Sequence, residues 1–121
     1  MNEEELKKRT KQFGLRVIKL VEALPNTSTA RMIGHQLLRS GMSVGANYRA
    51  ACRGRSKAEF IAKAGISLEE ADECLYWMEL LQEARIISTE RLKDLMKETD
   101  ELVAIFTASI KTARANLRQR G

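Results

Sequence analysis

The chain has 121 residues, a net charge of +5, 44% hydrophobic and 31% charged residues, and a single proline. That length suits one domain with a real core, spanning 1–121, and the composition favours an all-helical globular protein. No apolar run approaches the ~20 residues needed to cross a bilayer, and the charged start MNEEELKKRTK is not a secretion signal, so a cytoplasmic protein without membrane contact is expected.

Helix 1 is expected from Glu3 to Leu24. Leu6, Thr10, Phe13, Val17, Leu20 and Leu24 recur at helical spacing, Asn2 can cap the start, and Pro25 ends the run. Helix 2 is expected from Thr29 to Arg53, with Ile33, Leu37, Ser40/Gly41, Val44, Tyr48 and Ala51 inward. Gly54 can take the left-handed conformation that commonly ends a helix, and Ser56 with Glu59 fits a capping box for the next one. Helix 3 is therefore expected from Lys57 to Ala84, with Phe60, Ala64, Leu68, Ala71, Leu75, Met78 and Leu81 inward. Arg85-Ile86-Ile87-Ser88 is a short connection, and helix 4, capped by Ser88 or Thr89, runs to Arg118 through Leu92, Leu95, Thr99, Leu102, Phe106, Ile110, Ala113 and Leu117. Four long amphipathic helices with short loops make an antiparallel up-down-up-down four-helix bundle.

The helix 2–3 corner acts as a ruler, because residues equidistant from Arg55 lie at one height. Gly45 then faces Gly65, with Gly41 on the same helix side as Gly45. Interior glycines cost about 1 kcal/mol each, so either the backbones of helices 2 and 3 approach closely there or the helix is locally kinked. Cys52 and Cys74 come out roughly 24 Å apart in height, beyond disulfide reach, and are expected to be buried free thiols.

The search for chemistry finds little. A di-iron bundle needs two Glu-x-x-His pairs, and this chain has one histidine, His35, which reads as a surface or packing residue. Phosphate loops and nucleophile motifs are absent, and neither an enzyme nor a cofactor is expected. Helix 3 carries Glu69, Glu70, Asp72, Glu73, Glu79 and Glu83 with no base among them. The ruler places Arg39 level with this run, so structural ion pairs with Glu70, Asp72 or Glu73 are expected; a metal site on these carboxylates is the alternative, opposed by the arginine. Leu38, Met42, Tyr76, Trp77 and Leu80 exceed one inward stripe per helix, which marks a surface for self-association.

Charge placement carries the functional reading. The start of helix 1, the helix 2–3 corner and the end of helix 4 share one end of such a bundle. Lys7, Lys8, Arg9 and Lys11 come from the first segment, Arg49, Arg53, Arg55 and Lys57 from the second, and Lys111, Arg114, Arg118 and Arg120 from the third. Glu3, Glu4, Glu5 and Glu59 lie among these twelve bases, leaving a surplus of eight. Part of this complements helix dipoles. The pooling of three segments is the footprint of a surface that meets phosphates. Two readings follow: a weakly specific RNA- or DNA-binding protein acting through Lys7, Lys8, Lys11, Arg49, Arg53, Arg55, Lys57, Lys111, Arg114 and Arg118, or a structural adaptor whose partner is another protein.

RSGMSVGANYRAA (residues 39–51), Glu59-Phe60-Ile61 and LYWMELL (residues 75–81) resemble the "four helix bundle protein" family, which includes the 23S rRNA-intervening sequence proteins. The resemblance covers nearly the whole chain, and its motifs are packing motifs. It implies a bacterial homopentamer, related in fold to the accessory variability proteins of diversity-generating retroelements, which are basic pentameric barrels that bind nucleic acid and a reverse transcriptase. The chain departs from those retroelement proteins over most of its length.

Overall fold

The computed structural model describes residues 1–120 and, at Arg120, the backbone alone. It has four helices: α1 Glu3–Glu22, α2 Ser28–Cys52, α3 Lys57–Glu83 and α4 Thr89–Arg120. Local side chains set their starts. The Asn2 carboxamide accepts from Glu5 N at 2.8 Å, Thr27 Oγ1 from Ala30 N at 3.2 Å, Ser56 Oγ from Glu59 N at 3.1 Å and Ser88 Oγ from Arg91 N at 3.3 Å. The capping box is modified at α3: the Glu59 carboxylate reaches back to Arg55 N, one residue before the cap. α1 stops two residues earlier than expected, because Pro25 restricts Leu24 and the last carbonyls are closed by Ala23 N and Leu24 N.

Consecutive helices run antiparallel. Thr10 and Val17 of α1 lie against Gly45 and Gly41 of α2, Ser67 of α3 reaches Val44 of α2, and Phe60 at the start of α3 lies near Ala113 and Asn116 at the end of α4. The core runs along the axis through Phe13, Val17, Leu37, Met78, Leu81, Leu92, Leu102 and Phe106. Tyr48 meets Phe106 with ring centroids 5.6 Å apart. The buried hydroxyls of Thr10, Ser40 and Thr99 bond carbonyls one turn back in their own helices, and among the described residues no buried side-chain polar atom lacks a partner.

Several expectations need correction. Gly54 does not take a left-handed conformation; Arg85, in the α3–α4 turn, does, with φ 57°. Gly54 is instead short of room, since a Cβ there would sit 3.0 Å from Ala51 O. The helix glycines do not mark an α2–α3 approach. A Cβ on Gly41 would meet Val17 at 2.7 Å and one on Gly45 would meet the Thr10 backbone at 3.3 Å, both on α1, while Gly65 faces open space. On α3 the expected Ala64, Ala71, Met78 and Leu81 are buried, but Ser67 and Cys74 complete the inward face, whereas Phe60, Leu68 and Leu75 are half-buried. Leu117 is exposed, and Cys52 is only half-buried. Burial pushes the Cys74 thiol up to about 12, keeping it protonated.

Candidate nucleic-acid interface

Lys7 and Lys11 stand one turn apart on α1, with Lys8 beside them, and Arg49 and Arg53 stand one turn apart near the end of α2. Because α1 and α2 are antiparallel, both sets come to the same end. They line one groove of about 570 Å³, together with Glu4, Gly14, Leu15, Ile18, Met42, Gly45 and Ala46. The groove exists because its floor is small: Gly45 lets α2 lie directly on the Thr10 backbone, and Gly14 and Ala46 raise no large side chain over that crossing.

Five of the ten expected contact residues are thus in one place. Lys7 pairs with Glu4 at 3.0 Å, and that hydrogen bond holds the Glu4 carboxyl below its usual range. Lys57 lines a separate recess with Glu3, Phe60, Ser109, Thr112 and Asn116. Arg55, Lys111, Arg114 and Arg118 are exposed and lie in neither groove. Among the described residues, none of the ten except Lys7 forms an ion pair. The Arg120 side chain lies outside the described residues.

Arg9 is not part of the free charge. Its guanidinium grips Glu98 of α4 in a fork, Nε to Oε2 and Nη2 to Oε1, both 2.7 Å, and reaches Glu101 at 2.9 Å. These hydrogen bonds raise its pKa further and tie α1 to α4. The clamp was missed in the sequence. Glu98 and Glu101 stand three apart on α4, which is the signal that pointed to it.

The family of 23S rRNA-intervening sequence proteins matches residues 2–108. The chain belongs to this family. A crystal structure of a protein with unknown function from the S23 ribosomal protein family of Bacteroides thetaiotaomicron is 34% identical to it, with a TM-score of 0.85 over 92% of this chain and 99% of that one. No curated protein matches. The whole α1–α2 groove lies inside the matched stretch, whereas Lys111, Arg114 and Arg118 lie beyond it.

Arg39, Glu70 and Glu73 form a structural cluster on the α2–α3 seam. Arg39 bonds Glu70 at 3.0 Å and also bonds Glu73, which accepts from Trp77 Nε1 at 3.1 Å. Burial pulls the Glu73 carboxyl up, and the bonds from Trp77 and Arg39 more than reverse this, leaving it below its usual range. Asp72 takes no part: it is exposed, because α3 turns it away from Arg39. Among the described residues no three His, Cys, Asp or Glu side chains converge, and His35 is exposed. The large apolar residues divide between two surfaces. Leu38 and Met42 belong to the α1–α2 side, while Tyr76, Trp77 and Leu80 lie on α3, with Tyr76 edge-on to Trp77 at 5.1 Å.

Proposed function

We propose that this family member is a non-enzymatic, cytoplasmic nucleic-acid-binding protein that contacts RNA or DNA phosphates through the α1–α2 groove and the basic end around it. The observation that supports this is the convergence of Lys7, Lys8, Lys11, Arg49 and Arg53 on one groove whose lining holds a single carboxylate, Glu4. Among the described residues four of the five, all but Lys7, carry no ion pair, and ammonium and guanidinium groups at this density attract a polyanion and release its counterions on contact. Such contacts fix position and carry little sequence information, so specificity is weak. No helix of the described residues is long and apolar enough to cross a membrane.

Self-association is part of the proposal. Ile66 and Tyr76 are exposed on α3, flanked by the half-buried Trp77 and Leu80, and this strip suits a homo-oligomer, a pentamer by resemblance. A closed ring of parallel copies would bring every basic end to one face.

The test is affinity for labelled RNA and duplex DNA across a salt series. Replacing Lys8, Lys11, Arg49 and Arg53 together with glutamine should flatten the plot of log affinity against log salt by up to about four units, with helicity unchanged. A wild-type protein with no salt-sensitive binding at low ionic strength sinks the reading and leaves the protein-adaptor alternative.

A further inference from the structure

The α1–α2 groove has two halves. Lys7, Lys8, Lys11, Arg49 and Arg53 fill the half toward the end of the bundle, and Leu15, Ile18 and Met42 fill the half toward its middle. Leu15 lies one helical turn beyond Lys11, about 6 Å of rise. Leu15 and Met42 are each 48% exposed. Between the two halves the floor is Gly14, Gly45 and Ala46, where no large side chain stands. A purely phosphate-binding surface has no use for an exposed apolar half continuous with its basic half.

We infer that the groove takes an unpaired stretch of nucleic acid, its phosphates on the basic half and a base laid against Leu15, Ile18 and Met42. This rests on the nucleic-acid reading above and names its substrate class. A duplex keeps its bases stacked and paired inside and shows the protein phosphates, so it engages the lysines and arginines alone. A single strand, a loop or a bulge can splay a base out, and every base has an apolar face that gains by leaving water. The charge of the rim favours this occupant over an apolar peptide. Apolar contact takes the place of aromatic stacking here, as no Phe, Tyr or Trp lines the groove.

The experiment compares a short labelled oligouridylate with a duplex of equal length at one salt concentration. It uses wild type, Leu15→Gln/Met42→Gln, and Lys8→Gln/Arg49→Gln. Leu15 and Met42 are surface residues, so the first variant should keep its helicity and melting temperature. The wild type should prefer the single strand. Leu15→Gln/Met42→Gln should lose about tenfold on the single strand, less than twofold on the duplex, and keep its salt slope. Lys8→Gln/Arg49→Gln should weaken both and flatten both slopes by about two units. Photocrosslinking of a thiouridine-bearing strand should label the α1 and α2 peptides that contain Leu15 and Met42. Equal wild-type affinity for strand and duplex, a preference unchanged in the Leu15→Gln/Met42→Gln variant, or crosslinks confined to α3 or α4 would each overturn the inference while leaving general phosphate binding intact. Binding to neither nucleic acid removes the proposed function as well, and capture of an acidic amphipathic peptide in that case would assign the groove to a protein partner.

Discussion

α2 makes two seams of opposite construction. Toward α3 it uses side chains and polar bonds: Ser67 Oγ donates to Val44 O at 2.8 Å, Cys74 Sγ lies 3.4 Å from Ser40 Oγ, and Arg39 closes the outside on Glu70 and Glu73. Toward α1 it uses the absence of side chains, with Gly34, Gly41 and Gly45 set against Val21, Val17 and Thr10. The first seam is filled by side chains. The second brings backbones together below the surface and leaves a trough above them. The candidate binding site is thus a by-product of how α1 packs.

The glycine seam should be the easier one to break. Gly41→Val places a branched side chain where even a bare Cβ would lie 2.7 Å from Cγ1 of fully buried Val17. Neither helix can yield cheaply, and a loss of about 3 kcal/mol in thermal or urea unfolding is expected, the upper part of the overpacking range. Arg9→Ala tests how far α1 depends on its clamp to α4 once the glycine seam is intact. The fork is partly buried, at 25% side-chain exposure for Arg9 and 16% for Glu98, so a loss of about 1–2 kcal/mol is expected, with a double-mutant cycle against Glu98→Ala isolating the pair. Gly65→Ala inverts the sign of the comparison. Nothing lies within 4 Å of its Cβ, so only helix propensity remains, and a gain of about 0.5–1 kcal/mol should appear as a raised melting temperature. Arg39→Ala should have the smallest effect. Its side chain is half exposed, the solvent screens the pair, and the melting temperature should stay where it was. A clear drop would show that this cluster, and not the buried Ser67 bond, locks the α2–α3 seam.

The starts of α1, α3 and α4 were legible in the sequence because their causes are local, Asn2, Ser56 and Ser88 each capping a helix within three residues, whereas α2 begins one residue before the expected Thr29, capped by Thr27. The level of Arg39 with Glu70 and Glu73 followed from the tight corner alone. Faces were harder. α3 has apolar residues on several sides, so periodicity alone could not choose between Leu68 with Leu75 and Ser67 with Cys74; the small polar pair won because it fits close to the α2 backbone. A glycine in a sequence says that room or backbone freedom is needed but not on which side, so Gly41 and Gly45 were assigned to the wrong neighbour. The meeting of Lys7, Lys8 and Lys11 with Arg49 and Arg53 followed from chain direction. The groove did not, because it depends on the glycine face meeting α1, and Arg9 was counted as free because its partner lies 89 residues away.

The tight corner at Arg53–Ser56 also bears on how the molecule is made. α2 and α3 meet through contacts close in sequence, which form early because little loop entropy is lost in closing them. α1 touches α4 along only a short stretch, and its buried Phe13, Val17 and Leu20 dock where the glycine face of α2 is presented only once α2 is helical. α1, the first of these four helices in chain order, is therefore expected to be the last to dock and the first to open, with its amides exchanging ahead of those in α2 and α3. Since α1 is one wall of the groove, binding competence arrives only with the final folding step, and a ligand in the groove would slow the opening of that one helix.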